Sequence, residues 1–204
     1  MLAAFRSPRD RLLFLAGIFT GFRIRELLSL RIRHVWNGCE PAREITLARQ
    51  LLKGGTSAFA RRVKSRTVPV HPVLQAAVQR YIYSRYPDKI PVPDDHLFPS
   101  RKGLNRPISA VQAHAVIADA AKAAGNLARV ATHSLRKTFA RAVYDGTGHD
   151  IILVQKALGH SSVLTTASYL ETTSIDVTAA IMGLSTPGVG LRIGTQAIPA
   201  SRAS

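Results

Sequence analysis

Two stretches late in the chain, "THSLRKTFA" and "ALGHSSVLTTASYLE", bring histidines, an arginine and a tyrosine close together in sequence. Histidine trades protons near neutral pH. Arginine offers a planar fork that binds two phosphate oxygens and keeps its charge. Tyrosine can become a covalent phosphate ester. Attack on a phosphodiester without metal needs a nucleophile, cations for the charge that builds on the non-bridging oxygens, and an acid for the departing oxygen. His133 and Arg136 are three apart, so on a helix they share a face. His160 follows Gly159, a helix-stop residue, and Tyr169 comes nine positions later. That is about 13 Å if wholly helical. A turn followed by a helix can fold Tyr169 back beside His160, although spacing alone does not establish it.

The overall charge agrees with such a substrate. Lys and Arg total 28 against 12 Asp and Glu, a net charge of +16 over 204 residues. A surplus of this size is the footprint of a polyanion partner, because each neutralised phosphate releases condensed counterions. A ribosome-type structural protein or a binder of acidic lipid would share it, but no run of Lys and Arg resembles a membrane-surface anchor. Two-metal nuclease chemistry needs converging carboxylates. Here the acids are scattered singly apart from Asp94-Asp95 in a Pro-rich loop. "LLKGGTS" superficially resembles a phosphate loop without its residue order, and no His pair with a third partner has metal-ligand spacing. The single cysteine, Cys39, excludes an internal disulfide and fits a reducing cytosol. The apolar run "LLFLAGIFTGF" is too short to span a bilayer and reads as a buried helix.

The elements that must position these residues are mostly helical. "SPRDRLLFLAGIFTGFRIRELLSL" opens with a Ser-Pro helix start and reads as two helical segments broken near Thr20-Gly21. "EITLARQLL" and "RTVPV" read as the arms of a β-hairpin with Gly54-Gly55 in the bend and a long basic connection from Gly54 to Lys64. Helices follow at "HPVLQAAVQRYIYSRY", "SAVQAHAVIADAAKAAGN", "THSLRKTFARAVYDGTG" and "HDIILVQKALG", with the Pro-rich "PDKIPVPDDHLFPSRKG" as a loop. The expected fold class is mainly α with one small antiparallel sheet, an α+β arrangement.

"TGFRIRELLSL", "THSLRKTFA" and "ALGHSSVLTTASYLE", in that order, resemble the tyrosine recombinase (phage integrase) family, roughly from Ser7 to Ala180. That family combines an Arg in a TG-x-R-x-x-E-L helix, a hairpin Lys, an H-x-x-R motif, and L-G-H followed nine residues later by Tyr. The resemblance implies Tyr169 as the nucleophile that forms a 3′-phosphotyrosine and frees a 5′-hydroxyl. Arg23 and Arg136 would clamp the scissile phosphate, with His133 and His160 supporting proton transfer and hydrogen bonding. A hairpin lysine would protonate the leaving oxygen: Lys53 is the favoured assignment and Lys64 the alternative. Glu26 would orient its neighbours. Arg61, Arg62 and Lys64 are candidates for DNA contact. The phosphotyrosine keeps the ester bond energy, so resealing needs no ATP, and the resemblance implies no metal or other cofactor.

Taken singly, each residue has an ordinary role. Arg23 can be a surface arginine, the histidines fold residues, Tyr169 a half-buried aromatic with a wet hydroxyl, and the loop cations merely solvated. Their joint occurrence and order favour the catalytic set. The expected organisation is a catalytic domain over residues 1–184, without the family's N-terminal core-binding domain, and a disordered tail over 185–204. Such a chain would be a fragment, a minimal form or a remnant of a mobile genetic element, with competent chemistry but weak site selection. The expected function is site-specific recombination or integration of double-stranded DNA in the cytoplasm, by a homo-oligomer that forms a tetramer on DNA. The alternatives are type IB topoisomerase-like strand relaxation and a non-catalytic, truncated DNA-binding protein.

Overall fold

The structure is a computed structural model, and it describes residues 1–48, 51, 65–103, 105–125, 130–160 and 162–170. Helix α1 (Pro8–Thr20) starts where Ser7-Pro8 presets the first turn and ends at Gly21, whose left-handed φ of 59° turns the chain. Two short helices follow, α2 (Ile24–Leu28) and α3 (Ile32–Val35). Strands β1 (Glu44–Leu47) and β2 (Arg66–Pro69) pair antiparallel, with Leu47 opposite Arg66 and Ile45 opposite Val68. Ile45, Leu47, Arg66 and Val68 face inward, while the hydroxyls of Thr46 and Thr67 meet on the outer face at 2.8 Å.

The first arm is shorter than the sequence implies. After Leu47 the Leu51 amide bonds the Ala48 carbonyl, which is a turn rather than a continuing strand. The expected bend at Gly54-Gly55 lies outside the described residues, as do Lys53, Arg61, Arg62, Lys64 and everything after Leu170.

Helix α4 (Pro72–Arg85) begins under His71, whose ring accepts from the Val73 amide. Helix α5 (Ala110–Ala123) carries a reciprocal cap between Ser109 and Gln112. The Pro-rich loop between them is tied down by its two acids. Asp94 pairs with Arg31 and Arg33, and Asp95 accepts from Arg85 and from the Tyr86 hydroxyl. Those carboxylates therefore anchor the loop.

Helices α6 (Thr132–Gly146), α7 (Ile151–Leu158) and α8 (Val163–Ala167) complete the described chain. Asp150 caps α7 through the amides of Ile152 and Leu153, and Gly159 ends it at a left-handed φ of 65°. Ser162 sits at the start of α8, but its side chain makes no cap bond. The main core joins α1 to α5 and the hairpin around Leu13, Phe22, Leu30, Leu47 and Phe98. A second cluster of Ala140, Val154, Leu158 and Leu170 holds α6, α7 and the segment carrying Tyr169. Helix α1 packs on α6, with Gly17 against Leu135 and Gly21 against Phe139. No described helix is long and apolar enough to cross a membrane.

Candidate active site

The site gathers at the ends of four elements. Arg23 stands immediately before α2, and Glu26, only 2% exposed, lies inside the first turn of that helix. Glu26 Oε2 accepts from the Arg23 amide at 2.8 Å, and its Oε1 accepts from Arg23 Nη1 at 2.9 Å. One carboxylate thus fixes both the backbone and the fork of Arg23, leaving that guanidinium about one-third exposed.

Arg136 comes from the first turns of α6 and is almost fully buried. It donates to the Gly21 carbonyl through Nη1 and to the Leu158 carbonyl at 2.7 Å through Nη2. It therefore joins the end of α1 to the end of α7. Its Nε is buried with no partner among the described residues, an orphaned donor of the kind that calls for an explanation. Burial first and then the neighbouring Arg23 lower its proton affinity; Glu26 and then Tyr169 oppose them.

His160, 8% exposed, sits just past the α7 end. Its Nε2 is 2.9 Å from Arg136 Nη2, and its Nδ1 is 3.0 Å from Thr166 Oγ1. Arginine has no acceptor, so Nε2 must accept. Nδ1 then carries the proton and donates to Thr166, whose hydroxyl reaches on to the Ser162 carbonyl at 3.4 Å. This neutral tautomer follows from the bonding. Burial, followed by Arg136, Arg23, Arg66 and His133, lowers the His160 pKa to about 4. His133, one turn before Arg136, is exposed at its edge, and burial together with Arg136, Lys137 and Arg23 lowers its pKa as well.

Tyr169 lies among these groups. Its ring centroid is 4.8 Å from that of His133 and 5.2 Å from that of His160, and Arg136 Cζ stands 5.8 Å from it. The short helix α8 folds the chain back, the buried Thr166 bonds His160, and Leu170 packs into the second core cluster beside the tyrosine. The fold-back that spacing left open is thereby made. Arg23, Glu26, His133, Arg136, His160 and Tyr169 come together; Lys53, Lys64, Arg61 and Arg62 lie outside the described residues. Among the described residues no group of three or more His, Cys, Asp or Glu is placed to hold a metal ion.

Two participants escaped the sequence reading. Thr166 orients His160, and no motif marks it. Arg66 reaches under the site from β2, and its signal was available: in "RTVPV" the alternation puts Arg66 on the same face as Val68 and Val70, an inward register that leaves an arginine no route to water.

The sequence and fold are similar to those of known proteins. The phage integrase family model matches residues 2–174, and the chain belongs to that family. It is 30% identical over 165 residues to the probable integrase/recombinase YoeC of Bacillus subtilis, covering 81% of this chain and 78% of YoeC. Among solved structures, XerA recombinase superposes with a TM-score of 0.67 at 25% identity, covering 89% of this chain and 60% of that one. XerH site-specific recombinase bound to its difH substrate in a pre-cleavage complex gives a TM-score of 0.59 at 28% identity, over 85% of this chain and 46% of that one. The chain spans about half the length of the curated XerD and XerA recombinases it also matches.

Proposed function

We propose that this chain cuts and rejoins strands of double-stranded DNA in site-specific recombination, through a 3′-phosphotyrosine on Tyr169 and without metal or ATP. The observation that carries this reading is the position of the Tyr169 ring beside Arg136, His133 and His160. Tyr169 Oη passes its proton to a neutral histidine of the His133 and His160 pair and attacks phosphorus, the bond to the 5′-oxygen breaks, and a proton from an acid completes the 5′-hydroxyl. Arg23, about one-third exposed, and Arg136 behind it take the charge on the non-bridging oxygens. His133 and His160 supply hydrogen bonds and proton transfer. His160 enters with its Nε2 lone pair held by Arg136. Lys53, with Lys64 as the alternative, supplies the proton to the leaving oxygen. Resealing reverses the path: a 5′-hydroxyl attacks the phosphotyrosine and frees Tyr169.

The net charge of +16 supports DNA as the partner, as does the difH complex formed by XerH. The relatives named above are integrases and recombinases, which favours recombination over strand relaxation; the acting form proposed with it is a homo-oligomer, a tetramer on DNA. The test is incubation with a nicked suicide duplex in EDTA, followed by denaturing electrophoresis. The expected result is a covalent protein–DNA band that vanishes in Tyr169→Phe. A band that persists in that variant, or one that needs a divalent ion, overturns the reading.

A further inference from the structure

Arg66 is a buried cation with more partners than a strand residue requires. It begins β2, and its side chain is 9% exposed. Nη2 donates to the Thr20 carbonyl at 2.8 Å and to the Ala157 carbonyl at 2.5 Å. Nη1 lies 3.7 Å from Glu26 Oε2, and Cζ stands 4.7 Å over the Phe22 ring. Each of these partners adjoins a residue of the site. Thr20 and Phe22 flank the turn into Arg23. Glu26 holds the Arg23 fork. Ala157 lies in the last turn of α7, three residues before His160, and Gly159 passes so close that a Cβ there would fall 3.1 Å from Arg66 Cδ.

The location is costly. Burial, then Arg136, then Arg23 weaken the hold of Arg66 on its proton, and Glu26 is the one opposing influence, leaving the pKa at about 10. A cation kept beside two like charges, where an apolar strand residue would pack without desolvation, is retained for what its fork connects. We propose that Arg66 is a positioning residue of the strand-cleavage site: its single guanidinium registers the hairpin, the Arg23 turn and the α7 end that presents His160. It touches no reacting atom and acts through Glu26 and two carbonyls. Lysine cannot replace it, because one ammonium does not reach Thr20, Ala157 and Glu26 in a plane over Phe22.

The activity arm of the test rests on the proposed strand-cleavage function, so a second readout stands apart from it. In the full chain, Arg66→Lys is compared with wild type for single-turnover covalent cleavage at saturating suicide duplex, and for amide hydrogen exchange in the DNA-free protein. Val68→Ala, on the same face of β2, reports simple loss of packing. For Arg66→Lys the expected result is a rate at least tenfold lower with DNA affinity within threefold of wild type. Exchange should also be at least fivefold faster in both residues 20–23 and residues 157–160. Val68→Ala should speed exchange in the hairpin and leave its saturated rate within threefold. A rate for Arg66→Lys within threefold of wild type, unchanged exchange at both segments, or the same twin pattern in Val68→Ala overturns the proposal. Should Arg66→Lys not fold, Arg66→Met, of similar length and free of the buried charge, is read by the same criteria. A wild type that forms no covalent band would refute the proposed function, and the exchange pattern alone would then decide the role of Arg66.

Discussion

Arg136 and His160 meet nitrogen to nitrogen, at 2.9 Å, in a pairing that only one protonation state allows. The guanidinium has hydrogens alone to offer, so the imidazole is neutral and protonated on Nδ1, with Thr166 receiving that proton's hydrogen bond. A second proton on His160 would put a cation against Arg136. The folded protein resists it down to about pH 4, whereas the unfolded chain accepts it near 6.5. Between those values the unfolded state binds more protons, so stability is complete above about 6.5 and is lost as pH falls toward 4. Denaturant melts at pH 7 and pH 4.5 should show wild type losing about 2 kcal/mol more stability than His160→Gln does over the same interval. Equal losses would mean that His160 does not carry the effect.

The same arginine tests the clamp. Its fork spans the Gly21 and Leu158 carbonyls while Nε remains without a partner. Arg136→Lys keeps a charge but cannot hold the two carbonyls and the His160 ring in one plane. Single-turnover cleavage should fall about 10²-fold or more, the usual effect of removing one preorganised donor to a developing negative charge. A loss below tenfold in a folded variant would argue that Arg136 is a brace and not part of the clamp.

Packing at the turn before Arg23 is testable by itself. Gly21 and Gly148 share a left-handed backbone, with φ of 59° and 66°. A Cβ at Gly148 would meet nothing within 4 Å, while one at Gly21 would fall 2.2 Å from Phe139 Cδ1. Both alanine variants carry the backbone strain, and only Gly21→Ala adds overpacking against α6, at about 1–3 kcal/mol. Urea unfolding should therefore find Gly21→Ala less stable than Gly148→Ala by about 2 kcal/mol. Equal midpoints would show that Phe139 moves away freely.

Much of the architecture was legible because its signals are local. Ser7-Pro8 starts α1, Gly21 stops it, Asp150 and Gly159 bracket α7, and each acts within a turn of its own position. The site residues were legible as a set because their order and spacing follow a family pattern. What joins them was not. Nothing within nine residues of His160 says that Tyr169 folds back, since that depends on Thr166 reaching the imidazole and Leu170 packing between α6 and α7. Arg66 was placed in the second arm, "RTVPV", but no role was read for it there. Its inward register shows only once Val68 and Val70 are counted with it.

The proton donor to the leaving strand can be identified by chemistry. An alkoxide leaving group needs an acid, whereas a thiolate departs without one because its conjugate acid is much stronger. A suicide duplex with sulfur in place of the bridging 5′-oxygen should therefore bypass the lysine and nothing else. If Lys53 is the acid, Lys53→Ala should cleave the oxygen substrate about 10²-fold or more slowly than wild type, within the range of general acid catalysis, and recover to within about tenfold on the sulfur substrate. Lys64→Ala should lose at most a few-fold on either duplex, with a loss that weakens as salt rises, the behaviour of a phosphate contact. The reverse pattern, with rescue in Lys64→Ala and none in Lys53→Ala, would move the acid to the second arm. Arg136→Lys is the control: its clamp is needed whichever atom departs, so the sulfur substrate should not rescue it.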